Sequence, residues 1–316
     1  METGGVAAVV GAGQMGSIYG AAASDNGYEV WFVDAVPAIV GAINERGLVI
    51  DRRDGHTDTY RVSAAISPGT IPSPVELVLF QTKGWATRDA ALNVAPAVGP
   101  DTVILTLQNG LGNEEVLRDV FPDNELLIGL SVHTVVTVDV AHYSHTGVRD
   151  THLGPSAGGD LTSAERAASV FRREDFPVEV LPEQQIRTAQ WGKFVLNCAS
   201  LSTMALTRLP TAAASHHDLV FAHMDEVTRE TCAIAHAVGV ELDTEERVAF
   251  QHELFRTAGG RASMLGDVLA HRRTEIDTIN GAALMYAERF GVPAPLNRAL
   301  YALVKGLETA IEMGEA

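Results

Sequence analysis

Lys193 and Asn197 stand four apart in Trp191-Gly192-Lys193-Phe194-Val195-Leu196-Asn197, so a helix through them presents both on one face. An ammonium among Phe194, Val195 and Leu196 is open to partial desolvation, which disfavours its charged form and brings it towards the range of a working proton donor. The plain alternative is a lysine that carries its charge out to solvent. A second constellation sits near the start of the chain. Gly11-Ala12-Gly13-Gln14-Met15-Gly16 follows the apolar run Val6 to Val10, and Asp34 follows Glu29-Val30-Trp31-Phe32-Val33. Three glycines between a strand and a helix allow a tight turn, a close backbone approach to a pyrophosphate and close strand-to-helix packing, with the free N–H groups of the helix start facing the phosphates. An acid after the next strand can accept a hydrogen bond from a ribose 2′-hydroxyl. This is a dinucleotide-binding fingerprint, and a ligand-free tight turn is the lesser reading.

Three further segments carry usable groups. Lys83 follows an apolar strand in Phe80-Gln81-Thr82-Lys83-Gly84, and Asn109 follows another in Leu107-Gln108-Asn109-Gly110-Leu111-Gly112. Both fall at the strand ends where α/β sheets take their ligands, although Asn109-Gly110 is equally a good turn dipeptide. Arg272-Arg273-Thr274-Glu275-Ile276-Asp277-Thr278-Ile279-Asn280-Gly281 gathers two bases, two acids and an amide. Thr274 as an N-cap with Glu275 and Asp277 in a first turn would explain the acids but not Asn280-Gly281, both poor residues inside a helix.

The elements that must position these groups are readable from periodicity. Short β-branched or apolar runs at 48–50, 59–62, 75–80 and 102–107 alternate with helical stretches near 36–46, 84–95 and 111–120. Strands near 126–137, 141–145 and 148–154, a helix near 161–172 and a strand at 178–180 continue the pattern. This predicts an α/β fold: an N-terminal Rossmann-type, doubly wound, mostly parallel sheet over residues 1–181. From Glu183 the pattern becomes helical, with segments near 184–206, 212–239, 243–257, 274–290 and 295–312, so residues 182–316 are expected to form an all-α domain. A substrate is expected between the two domains, beside the strand ends.

Forty acids against 23 bases give 316 residues a formal charge of −17, which disfavours nucleic acid and anionic membrane as partners while leaving room for a small anion in a locally basic site. No apolar run approaches the ~18 residues that cross a bilayer, and the start of the chain does not read as a secretory signal, so the cytoplasm is the expected compartment. Cys198 and Cys232 lack metal-like spacing, as does His216-His217, and no metal is expected.

In sequence order, these blocks closely resemble the ketopantoate reductase (2-dehydropantoate 2-reductase) family over essentially the whole chain. They are Gly11 to Gly16, Gln81-Thr82-Lys83, Gln108-Asn109-Gly110, Trp191-Gly192-Lys193 with Asn197, Ser263-Met264-Leu265, and Arg273 to Asp277 with Asn280-Gly281. The resemblance implies hydride transfer from NAD(P)H to the 2-keto group of a small branched 2-keto acid, 2-dehydropantoate to pantoate, a step of pantothenate biosynthesis. It makes Lys193 the proton donor, Glu275 the acid that hydrogen-bonds the new hydroxyl, and Asn109 and Lys83 residues at the cofactor and reaction centre. Asn197 and Ser263 become substrate-binding positions, and Gly11, Gly13, Gln14, Met15, Gly16, Lys83 and Asn109 cofactor-binding ones.

Two positions depart from the family pattern. Leu201 stands where many members carry a second substrate-binding Asn, which predicts a less polar pocket. Asp34-Ala35-Val36-Pro37 lacks the Arg that NADPH-using members, the family default, carry after the second strand, and the Asp34 carboxylate favours NADH. Two other readings compete: a β-hydroxyacid dehydrogenase or imine reductase acting on another substrate, which the Arg273 to Asp277 block and Ser263-Met264-Leu265 disfavour, and a non-catalytic NAD(P)-binding sensor, which Lys193, Glu275 and Asn109 disfavour. A helical C-terminal domain often supplies a dimer face, so a homodimer is the assembly to test.

Overall fold

The first strand, β1 (Val6–Val10), is apolar along its whole length and buried from Ala7 onward, as a central parallel strand covered on both faces must be. It opens a computed structural model that describes residues 4–257 and 259–315. There follow α1 (Gln14–Asp25), β2 (Glu29–Val33), α2 (Pro37–Arg46), β3 (Leu48–Asp51), β4 (Thr57–Tyr60), β5 (Ser63–Ala65), β6 (Val75–Phe80), α3 (Thr87–Val94), β7 (Val98–Thr106) and α4 (Asn113–Val120). Then come β8 (Leu126–Ser131), β9 (Thr134–Asp139), β10 (His142–Gly147), β11 (Thr151–Pro155), α5 (Leu161–Phe171) and β12 (Val178–Val180). The rest is helical: α6 (Glu183–Thr207), α7 (Thr211–Ser215), α8 (Asp218–Val238), α9 (Thr244–Thr257), α10 (Ser263–Leu269), α11 (Asn280–Phe290) and α12 (Pro295–Glu312).

The main sheet has eight strands in the order β12-β11-β8-β7-β6-β1-β2-β5, parallel except where β11 runs against β8. From β1 the chain winds to β2 on one side, and the winding on the other side begins at β6. The β1/β6 boundary is therefore the point where strand order reverses, the position at which open α/β sheets bind ligands. α1 packs closely because Gly20 faces Phe32: a Cβ there would collide with the fully buried Phe32 ring.

The expected strand at 126–137 is two strands in different sheets, because β8 ends at Ser131 and β9 joins a separate four-stranded sheet ordered β4-β3-β10-β9. That small sheet was not legible as a layer of its own. A buried polar chain lies beside it: the Tyr19 hydroxyl and Thr151 Oγ1 are 2.6 Å apart, Thr151 Oγ1 is 3.1 Å from His133 Nε2, and His133 Nδ1 is 3.1 Å from His145 Nε2. Phe176 stacks on His133 with ring centroids 4.5 Å apart. Burial, with His145 adding to it, pushes His133 down to about 4, so the ring is neutral at neutral pH.

The chain divides into two compact units, residues 1–108 with 113–186, and residues 109–112 with 187–316. The second has its own core, in which Trp191, Phe194, Val195 and Cys198 of α6 pack with Met224, Cys232 and Ile234 of α8 and with Ile276 and Ile279. The helix expected over 274–290 begins only at Asn280, so Thr274 is not its N-cap. Asn280 and Gly281 occupy the first turn, where a poor helix former costs little, which resolves their presence. The helix expected at 212–239 is likewise two, α7 and α8, and α10 was not foreseen.

Candidate active site

In the first unit the glycine turn is fixed by backbone geometry. Gly11 has φ +101 and lies so close to the β6 end that a Cβ would stand 2.9 Å from the Gln81 carbonyl and the Thr82 nitrogen. The parallel ladder runs on past β6, with the Gln81 N–H donating to the Val10 carbonyl at 2.8 Å. Gln81-Thr82-Lys83 is thus set beside the turn. Gln108, buried two residues past the end of β7, locks this edge: its Nε2 donates to the Thr82 carbonyl at 2.9 Å and to Thr87 Oγ1 at 2.9 Å. Gly16 is required because a Cβ would collide with the Gly11 carbonyl.

The turn fits a dinucleotide pyrophosphate. A Cβ built on Gly13 meets nothing within 4 Å, so the backbone there is open to a ligand, and among the described residues no side chain caps α1, whose N-cap is Gly13. Gln14, the first residue of α1, is exposed, and Met15 packs partly buried on the core. Asp34 accepts the Ala12 N–H at 2.7 Å and the Val36 N–H at 2.8 Å, so its carboxylate is held at the rim of the turn. Two supporting hydroxyls carried no sequence signal: Tyr143 and Ser17 both donate to the Ala12 carbonyl, at 2.7 and 3.1 Å.

In the second unit Glu275, 82 positions from Lys193 in sequence, is near enough that its charge favours the protonated form of the Lys193 ammonium. Burial dominates that balance: desolvation pulls Lys193 from 10.5 down to about 8, while Glu275 works in the opposite direction. Glu275 is itself only 7% exposed. It lies in a tight turn in which the Thr278 and Ile279 N–H groups both donate to its carbonyl, at 3.1 Å. Two contacts tie that turn down. The Thr274 N–H and hydroxyl donate to the buried Glu308 carboxylate at 2.8 and 2.7 Å, and Asn280 Nδ2 donates to the Cys198 carbonyl of α6 at 3.0 Å. Asn280 therefore secures the turn to the helix that carries Lys193 and Asn197.

Asn197 is buried one helical turn beyond Lys193. Asn109 belongs to the same unit: its loop is docked on the Glu275 turn by a Leu111 N–H to Thr278 carbonyl bond of 2.9 Å, and Leu111 joins the helical core. Gly110, at φ +82, sits so tightly that a Cβ would overlap the Thr278 carbonyl. Leu201 packs partly buried against that core. Ser263, the first residue of α10, is exposed, unlike Met264 and Leu265 beside it.

Comparison with known proteins matches residues 7–158 to the family model described as ketopantoate reductase PanE/ApbA, and residues 185–308 to the model of its C-terminal domain. The 2-dehydropantoate 2-reductase of Pyrococcus horikoshii is 31% identical over 301 residues, covering 95% of this chain and 97% of that protein. That of Archaeoglobus fulgidus is 28% identical, covering 96% and 98%. Among solved structures, a PanE/ApbA family ketopantoate reductase from Ralstonia eutropha superposes with a TM-score of 0.87 at 30% identity, covering 97% of this chain and 99% of that one. A D-mandelate dehydrogenase solved with NADH and anilino(oxo)acetate has the same fold, with a TM-score of 0.90 at 23% identity and the same coverage.

Proposed function

The chain belongs to the ketopantoate reductase family, as an NAD(P)-dependent oxidoreductase, and on that premise we propose that it reduces 2-dehydropantoate to pantoate with NADH, Lys193 giving the proton. Membership displaces the imine reductase and non-catalytic sensor alternatives. The bound nicotinamide supplies the hydride. Gly11, Gly13, Gln14, Met15 and Gly16 hold the dinucleotide, Asp34 accepts from the adenosine ribose, and Lys83 and Asn109 serve the cofactor end of the reaction. Asn197 and Ser263 bind substrate.

The observation that carries this reading is the Lys193 ammonium, brought by burial to about 8 beside a buried carboxylate. Reduction of a ketone builds negative charge on oxygen. An ammonium near neutrality in its proton affinity both stabilises that charge and releases its proton to it, a combination worth ~10²-fold or more. Glu275 keeps Lys193 charged in spite of its surroundings and accepts a hydrogen bond from the new hydroxyl.

Leu201 favours a second reading of the substrate alone. Its apolar side chain packs on the helical core where many family members present an amide, which suits a 2-keto acid with fewer polar groups on its branch. The test is a panel of 2-dehydropantoate and less polar branched 2-keto acids, each assayed with NADH and NADPH. The first reading expects the highest kcat/KM for 2-dehydropantoate; a less polar acid ahead of it by tenfold or more replaces that substrate and leaves the chemistry in place.

We further assign the protein to the cytoplasm, as a homodimer without nucleic-acid or membrane partners, with residues 1–181 as the dinucleotide domain and 182–316 as the helical domain. Among the described residues no helix is long and apolar enough to cross a membrane.

A further inference from the structure

Tyr143 lies on β10 of the small sheet, 131 positions from the glycine turn in sequence, and its hydroxyl donates to the Ala12 carbonyl at 2.7 Å. The residue is 3% exposed, and its place is set by both neighbours of β10: it pairs with Ile50 of β3 and with Thr137 of β9. Ser17, fully buried on α1, donates to the same carbonyl at 3.1 Å, while the Ala12 N–H is taken by Asp34 at 2.7 Å. The Ala12 residue is thus fixed on both its N–H and its C=O side.

The orientation has a direct consequence. The Ala12 carbonyl and the Gly13 N–H belong to one trans peptide plane, in which C=O and N–H point in opposite directions. With the carbonyl drawn inward onto two buried hydroxyls, the Gly13 N–H is turned outward, at the residue whose Cβ position is open for 4 Å. We propose that Tyr143, assisted by Ser17, is a positioning residue for the dinucleotide pyrophosphate, fixing the Ala12-Gly13 peptide so that its N–H is aimed at a phosphate oxygen before the cofactor arrives. The small sheet then acts on the cofactor site through the Ala12 carbonyl. Desolvation raises the Tyr143 pKa, so the hydroxyl keeps the proton it donates.

This inference rests on the glycine turn holding the dinucleotide, and the test separates the two. NADH binding to the purified wild-type and Y143F proteins is measured by fluorescence titration, and ADP-ribose and adenosine are measured by displacement of NADH. Loss of one preorganising hydrogen bond is expected to raise the Kd for NADH and for ADP-ribose together by about 3- to 10-fold, with adenosine, which lacks phosphates, unchanged. In turnover the loss falls on KM for NADH more than on kcat. An unchanged NADH Kd, or equal weakening of all three ligands, overturns the role of Tyr143. Failure of the wild-type protein to bind NADH overturns the nucleotide assignment itself. Should Y143F not fold, S17A removes the second bond to the same carbonyl: a weaker but parallel loss on NADH and ADP-ribose supports the proposal, and none overturns it.

Discussion

Glu275 opposes the desolvation of Lys193 without cancelling it, and the balance leaves the ammonium at about 8 against an ordinary 10.5. A buried carboxylate supplied by a turn and a partly buried lysine supplied by a helix therefore set one proton affinity between them.

The pH dependence follows in sign. If Lys193 gives the proton as proposed, it must be charged for reduction, so kcat/KM is expected to hold below about pH 8 and to fall tenfold per unit above it. E275Q removes the influence that keeps the lysine charged, so its profile should break at lower pH. The lowered value also means that the unfolded chain binds the proton more tightly than the folded one between about 8 and 10.5. The contribution of Lys193 to stability consequently rises with pH across that window. A pH profile of E275Q that coincides with the wild-type profile would dissociate the two residues.

Asp34 should set cofactor choice. Its carboxylate is already held by the Ala12 and Val36 N–H groups, so it cannot swing away from the rim of the turn to admit a 2′-phosphate. We expect kcat/KM to favour NADH over NADPH by at least about tenfold, the equivalent of one charge-assisted hydrogen bond, and D34N to narrow that ratio. Steady-state kinetics with both cofactors checks this, and a clear advantage for NADPH in the wild-type protein would refute it.

The Asn109 loop depends on Gly110. Alanine at this position meets both a positive φ and the Thr278 carbonyl, so G110A should lift the loop from the Glu275 turn. The expected result is a stability loss of about 1–3 kcal/mol in urea unfolding, with kcat reduced and the Kd for NADH raised, since Asn109 is proposed to serve the cofactor end of the reaction. A destabilised G110A protein whose kcat and NADH Kd both match the wild type would place Asn109 outside the site.

What could be read from the chain alone follows the range of the interactions concerned. The glycine turn and Asp34 were legible because the fingerprint is local: each residue acts through its own backbone or the next strand. Lys193 and Asn197 were legible as a helical pair, with a partly desolvated and a solvent-reaching lysine both open, but the influence of Glu275 on Lys193 was not legible, since it comes from a turn 82 residues later. Asn280-Gly281 looked misplaced only because Thr274 reads as a good N-cap. In the fold the Thr274 hydroxyl is spent on Glu308, and the helix starts six residues further on. Tyr143 was invisible as a site residue, because its bond to Ala12 exists only once β9 and β10 leave the main sheet and form a layer of their own.

The most direct measurement is kcat for reduction by K193A alongside its Kd for NADH. The account predicts that kcat falls by about 10²-fold or more while NADH binds as in the wild-type protein, because it assigns the dinucleotide to the glycine turn and the proton to the lysine. A K193A protein that binds NADH and turns over at the wild-type rate would contradict it.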